Sequence, residues 1–272
     1  VNTVSETYAA EIQSHPEFGM GLEHVLRRRA ADLSGIVNGI DTREWDPETD
    51  PHLPARYSAR DLSGKAVCKD SLLRSFGLPN PGGRTPLAGI VSRLADQKGF
   101  DLIAGAVHEI ASLEMQLVIL GTGQQKYHDL LERMAARYPE KIAVRFAFDN
   151  ALAHRIEAGC DMFLMPSKFE PCGLNQLYSL RYGTVPIVRA VGGLADTVAP
   201  YDGDSGTGFR FSGYASADMM DSVRRALDVY RDAGRWKTLQ LRGMAQDWSW
   251  DRSARRYMRL YRNIHALKHP KG

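Results

Sequence analysis

Met162-Phe163-Leu164-Met165 is an unbroken apolar run, and Pro166-Ser167-Lys168-Phe169-Glu170-Pro171-Cys172-Gly173-Leu174-Asn175-Gln176 follows it directly. With no polar alternation, the run reads as a strand buried on both faces of a parallel sheet. Such sheets take their ligands at the carboxyl ends of the strands. That puts Glu170 in a strand-end loop, ahead of a helix predicted from about Gly173 to Tyr182. The first turn of that helix leaves N–H groups free for sugar hydroxyls or phosphate oxygens. A solvated loop carboxylate and a small buried filler are the plain alternatives for Glu170 and Cys172, and this stretch alone does not separate the readings.

Working outward, strand-like and helix-like segments alternate. Strands are predicted at Leu87–Val91, Gln116–Leu120, Ile142–Phe146 and Val185–Val188, with a possible edge strand at Gly208–Phe211. Helices are predicted between them at Phe100–Ala111, Gln125–Arg137 and Ala151–Ala158, and at the end at Ala217–Tyr230, Trp236–Gln246 and Asp251–Lys268. This order indicates an α/β fold, a parallel sheet covered on both faces. Pro186 sits awkwardly in a strand because it has no N–H to donate. Ahead of the series come a short strand (Val1–Val4), a helix (Glu6–Gln13), a possible strand at Ser34–Val37 and a turn at Asn38-Gly39-Ile40-Asp41. A proline-marked passage to Pro54 and a helix near Asp61–Phe76, ended by Gly77, follow.

The totals exclude more than they assign. Of 272 residues 43% are hydrophobic, enough for a sizeable core, and a net charge of +3 makes no general case for nucleic acid or a membrane surface. No run is long enough to span a bilayer. Cys68, Cys160 and Cys172 form no CxxC, so neither a disulfide framework nor a cysteine zinc site is expected, and a reducing compartment fits. HExxH is absent; His265 and His269 stand i,i+4 without an acid pattern, so no metal is expected.

Two further strand-end loops could carry chemistry. Arg93 and Lys98 lie five positions apart after Leu87–Val91. Arginine offers a rigid fork and lysine a mobile point charge, so together they suit phosphate; two solvated surface cations are the alternative. Gly192-Gly193 follows Val185–Val188 and could expose amides to an anion, or simply be a flexible loop. Leu120-Gly121-Thr122-Gly123 lacks a full GxGxxG and reads equally as a tight turn. The tail residues Trp250, Ala254, Tyr257 and Tyr261 have helical spacing and read as a packing stripe.

Taken together, these motifs resemble bacterial glycogen synthase and plant starch synthase. The resemblance rests on Val1-Asn2-Thr3-Val4-Ser5, Asn38-Gly39-Ile40-Asp41 with Trp45-Asp46-Pro47, and Ser92-Arg93-Leu94 with Gln97-Lys98-Gly99. It rests also on Ser167 through Leu177, Tyr182 through Arg189, Gly192 through Val198, and Trp248-Ser249-Trp250. It implies a two-domain, GT-B type fold of facing Rossmann-like domains. The implied reaction is glucose transfer from ADP-glucose to the non-reducing end of an α-1,4-glucan, with retention and without a cofactor. Carried over, Arg93 and Lys98 would hold the diphosphate, and Glu170 would engage the donor glucose. Cys172, Gly173 and Leu174 would contact its hydroxyls. Asn38 would join them near the domain junction, and Phe148 would stack on adenine in place of the usual tyrosine. Glu6 (for proline) and Lys168 (for arginine) are lesser departures.

The large departure is at the front, because the family's donor-binding Lys-x-Gly-Gly loop is not among these residues. The expectation is therefore a C-terminal portion: residues 1–37 close a first domain, 38–250 form the nucleotide-sugar domain, and 251–272 are a helix returning toward the first. A missing N-terminal domain would be its partner. The isolated chain would show little synthase activity and an exposed apolar strip. A cytoplasmic location is implied, or a plastid one in a plant. A related glycosyltransferase or phosphorylase, and a catalytically silent nucleotide- or glucan-binding module, stay open as alternatives.

Overall fold

The computed structural model describes residues 1–80, 82 and 84–268. In chain order the first elements are β1 (Asn2–Thr3), α1 (Glu6–Ser14), α2 (Pro16–Gly19), α3 (Glu23–Arg28), β2 (Ser34–Gly35) and α4 (Ser63–Phe76). The main series runs β3 (Leu87–Val91), α5 (Phe100–Gly105), α6 (Val107–Ser112), β4 (Gln116–Leu120), α7 (Gln125–Arg137), β5 (Ile142–Arg145), α8 (Asn150–Gly159), β6 (Met162–Met165), α9 (Asn175–Arg181) and β7 (Val185–Arg189). It closes with α10 (Gly192–Thr197), β8 (Phe209–Phe211), α11 (Ser216–Tyr230), α12 (Ala233–Met244) and α13 (Trp250–Lys268).

β3 to β8 form one parallel sheet in the order β5-β4-β3-β6-β7-β8. The strand order reverses between β3 and β6, which makes a ligand crevice at the carboxyl ends of those two strands. The pleat sends alternate residues to opposite faces. Ala88, Ile90, Leu117, Ile119, Met162 and Leu164 pack under α5, α7, α11 and α12. Leu87, Val118, Leu120, Phe163 and Met165 pack under α4, α8 and α10. A third cluster seats the 38–62 passage: Trp45 is sandwiched between His154 and Tyr178, with ring centroids at 3.7 and 3.6 Å.

Pro186 lies inside β7, which is not an edge strand. The Val185 N–H donates to Asp161 O on the β6 side. Alternation therefore turns the donor that Pro186 lacks toward β8, whose ladder begins one residue later at Ile187 and Phe209. The single helix expected over Phe100–Ala111 is two, broken at Ala106. The Ser216 hydroxyl donates to Leu102 O at 2.9 Å at this point, and it has room because Gly105 carries no Cβ, which would lie 2.6 Å from that oxygen. The helix after β6 begins at Asn175 rather than Gly173, because Gly173 takes a left-handed φ of 69°.

The tail is the clearest departure. On α13 only Ser253 is buried, while Trp250 is 49% and Tyr261 59% exposed. The expected packing stripe is thus not one. The helix sits on a different, narrow face: Ser253 Oγ donates to Val37 O at 2.7 Å and Tyr257 reaches Asn2. Trp250, Met258, Tyr261, Ile264 and Leu267 of this helix are exposed. His269 lies outside the described residues. Among the described residues no helix is long and apolar enough to cross a membrane, and no group of three His, Cys, Asp or Glu side chains is placed to hold a metal.

Candidate active site

The site is built by three loops leaving β3, β6 and β7, and glycines let their backbones touch. Gly99 (φ 74°) lies where a Cβ would stand 2.1 Å from Pro166 O, so only glycine lets the end of the Arg93–Lys98 loop meet the end of β6. A Cβ on Gly193 would stand 2.0 Å from Cys172 O, which brings the β7 loop onto the Glu170 segment. The Gly121-Thr122-Gly123 pattern serves the same purpose. Cβ atoms there would meet Ser92 O at 2.1 Å and Leu94 O at 2.3 Å, so these glycines brace the Arg93 loop.

Hydrogen bonds then fix the register between loops. Gln97 Nε2 donates to Phe169 O at 2.9 Å, and the Lys168 N–H donates back to Gln97 O at 2.8 Å. This brings Lys98 Nζ to 2.6 Å from Glu170 Oε2, which also accepts from Ser167 Oγ at 3.0 Å. The Gly193 N–H donates to Glu170 O at 3.0 Å. Asn175 anchors the start of α9 by donating to Val91 O, at the end of β3. Gln176 Nε2 holds the turn before it through Cys172 O and Gly173 O, both at 3.1 Å.

A cavity of about 240 Å³ opens among these loops, lined by Arg93, Lys98, Glu170, Gly173, Leu174 and Asn175. Arg93 is exposed, and its guanidinium donates to no protein acceptor among the described residues. The backbone N–H groups of Gly173 through Gln176 likewise have no protein acceptor among the described residues. One mobile cation, one free guanidinium and a row of free amides therefore meet one buried carboxylate. That set can hold a polyanion while the acid addresses a polyol.

Of the residues expected from sequence, Arg93, Lys98, Glu170, Gly173 and Leu174 are brought together. Cys172 lies beneath them; burial raises its thiol pKa, against a hydrogen bond with the Asn38 backbone, so it is a neutral packing group and no nucleophile. Asn38 is half-buried at that contact and does not line the cavity. Phe148 stands apart, 96% exposed on the loop after β5. Lys168 turns away to pair with Glu17, so its lack of an arginine fork does not bear on the cavity.

One participant had no sequence signal. Glu11, an ordinary-looking residue of α1, accepts from the Gly192 N–H at 3.0 Å. Burial is the main influence raising its carboxyl pKa. Asp196 caps the same helix from the other side, accepting from the Glu6 and Thr7 N–H groups. The first Gly-Gly amide, expected to face an anion, is thus satisfied by a protein carboxylate.

Comparison with known proteins identifies the family and the fold. Residues 79–238 match the family model for glycosyl transferases group 1. Glycogen synthase of Anaeromyxobacter sp. (strain Fw109-5) is 57% identical over 267 residues, 98% of this chain and 56% of that protein. Glycogen synthase of Koribacter versatilis (strain Ellin345) is 53% identical over 99% of this chain and 56% of its own length. The catalytic domain of starch synthase IV from Arabidopsis thaliana, solved with ADP and acarbose, superposes with a TM-score of 0.91 at 38% identity, covering 97% of this chain and 55% of that one. A sucrose-phosphate synthase from Thermosynechococcus elongatus shares the fold alone, at 18% identity and a TM-score of 0.65. This chain spans a little over half the length of the relatives it matches. With a matching family model over more than half its residues, the chain belongs to the group 1 glycosyl transferases.

Proposed function

We propose that this chain supplies the donor-binding half of a glycogen or starch synthase, transferring glucose from ADP-glucose to the non-reducing end of an α-1,4-glucan with retention. The observation that carries this reading is the joint lining of one strand-end cavity by Arg93, Lys98, Glu170 and the free amides that open α9. Transfer builds negative charge on the departing ADP, and preorganised cations and N–H groups aimed at it lower the barrier. Glu170 engages the donor glucose, with Gly173 and Leu174 against its hydroxyls. Asn38 lies at the junction, Phe148 is free to stack on adenine, and Cys172 shapes the floor.

The rest of the cleft, in this reading, comes from a facing domain within the part of the relatives that this chain does not span. Residues 1–37 end that domain, 38–250 are the nucleotide-sugar domain and 251–272 return. The crossings support this division: Ile40 N–H donates to Trp248 O at 2.9 Å, and Ser253 to Val37 O, so both junctions lie side by side. No nucleic-acid or membrane partner is invoked, and a cytoplasmic site suits the bacterial relatives.

Calorimetric titration with ADP, and then ADP-glucose, tests the reading. The chain is expected to bind both, and Lys98→Ala to weaken ADP about tenfold or more, the loss of a charge-assisted contact. Equal affinity in the two proteins would remove Lys98 from the site. Absence of binding to a well-folded chain would mean either that the facing domain is needed to assemble the pocket or that the chain binds no donor.

A further inference from the structure

A second and larger cavity, about 850 Å³, lies at the opposite end of the sheet. Pro86, Leu113 and Asp161, each just ahead of a strand, form its floor, and α4 and the α11–α12 turn form its walls. Nothing in the proposed transfer uses it, since the donor loops leave the other ends of the same strands. Its volume is in the range of about 300–1,000 Å³ typical of sites for small organic ligands.

Two kinds of surface line it. One is apolar: Leu62, Pro86, Leu227 and the rings of Tyr230 and Trp236, which meet edge to face at 5.1 Å and 74°. The other is charge, five basic side chains against the two acids Glu114 and Asp161. The buried pair of cations is spent internally. Lys65 Nζ donates to Ala158 O, Tyr182 O and Thr184 Oγ1, and Lys69 Nζ to Asp161, Thr85 O and the Tyr230 hydroxyl. A lysine has three N–H donors, so these two add field rather than contacts.

The other three cations keep donors. Lys141 Nζ gives one to Leu113 O at 2.9 Å. Among the described residues Arg231 makes only an exposed pair with Asp228. Arg84 is exposed, and its guanidinium meets no protein acceptor among the described residues. Trp236 is 5% exposed, yet its indole N–H also has no acceptor among the described residues. A bare anion would leave the apolar wall unused, and a neutral apolar ligand would leave a basic rim unpaired.

We infer that this cavity binds a small phosphomonoester carried on a planar ring, of the nucleoside monophosphate class, with the ring against the Tyr230–Trp236 wall and the phosphate on the rim of Arg84, Lys141 and Arg231. Arginine's planar fork suits a phosphate dianion, and the aromatic faces suit a base. The site is separate from the donor site and stands or falls apart from it.

The test is calorimetry with adenosine 5′-monophosphate, inorganic phosphate and adenosine, on the 272-residue chain carrying Lys98→Ala so that the carboxyl-end site is weakened. The monophosphate is expected to bind, with affinity at least tenfold above either fragment and falling tenfold or more in Arg84→Ala and in Arg231→Ala, both exposed positions that leave the core intact. Binding should also quench tryptophan fluorescence, and Trp236→Phe should abolish the quench. Phosphate binding as tightly as the monophosphate, affinity unchanged in both arginine variants, or no binding at millimolar ligand would each overturn the assignment.

Discussion

At the carboxyl end of the sheet, Lys98 shares a carboxylate with Ser167 and sits beside Arg93, whose fork is unused. At the amino end, Lys65 and Lys69 are more deeply buried and every donor they own is taken by the protein. The amino-end cavity is the larger by more than threefold, yet its buried cations hold the fold, while the smaller cavity's cations stand ready for a ligand. The difference teaches that available donors and glycine-enforced loop contact nominate a candidate site better than volume does. Paired buried cations act as structure.

The sharpest way to break this contrast is to neutralise the acid at the carboxyl end. In an enzyme of the relatives' full length, Glu170→Gln is expected to lower turnover by about 10²–10³, the scale for losing one preorganised polar contact to the transition state. Its melting temperature should move little, because Lys98 lines the cavity and water can solvate its ammonium once the carboxylate is gone. Unchanged turnover, or a collapsed fold, would make Glu170 structural and erase the contrast.

A second test addresses the loops' backbone contact. Gly193→Ala places a methyl 2.0 Å from Cys172 O, a backbone atom that cannot swing aside. Overpacking of this kind costs about 1–3 kcal/mol. Chemical denaturation should register that loss, and ADP affinity should fall with it, since the same displacement shifts the turn at Cys172–Leu174. A variant with wild-type stability and affinity would show that the loops do not depend on one another. Gly77→Ala is the control: a methyl there meets nothing within 4 Å, so only the left-handed φ of 70° is penalised.

How much of this was legible beforehand follows from the range over which each signal acts. The apolar run at Met162–Met165 and its alternation with helices are local, and they placed the sheet and all three strand-end loops. The convergence of Arg93, Lys98 and Glu170 was readable because strand ends of one parallel sheet lie together whatever the strand order. The Lys98–Glu170 pair itself was not, since it depends on Gln97 accepting from the Lys168 N–H and donating to Phe169 O, across 71 and 72 residues of chain. Glu11 was invisible for the same reason: its partner is 181 residues away and its own helix looks ordinary. The tail misled because periodicity shows that an apolar stripe exists and says nothing of what covers it. Trp250 and Tyr261 have the spacing and stand exposed.

The smallest expected effect lies at the amino end, where buried charge should shape stability against pH. Burial raises the Glu157 carboxyl to about 8, against a hydrogen bond from Ser179, and lowers Lys65 to about 8. Between about pH 4.5 and 8 the unfolded chain has released the Glu157 proton while the folded chain keeps it, so this acid's contribution is present at low pH and lost as pH rises. Between about 8 and 10.5 the folded Lys65 is neutral while the unfolded one is charged. Its contribution is therefore present at high pH and lost as pH falls. The two arms meet in a minimum near pH 8. Glu157→Gln should remove the acid arm and flatten the melting temperature between pH 5 and 8 by a few degrees, whereas Glu170→Gln at the other end should leave that slope alone. Melting curves whose pH slopes coincide in wild type and Glu157→Gln would show that the amino-end network carries no titrating charge, and its cations would then be no more committed to the fold than Lys98 is.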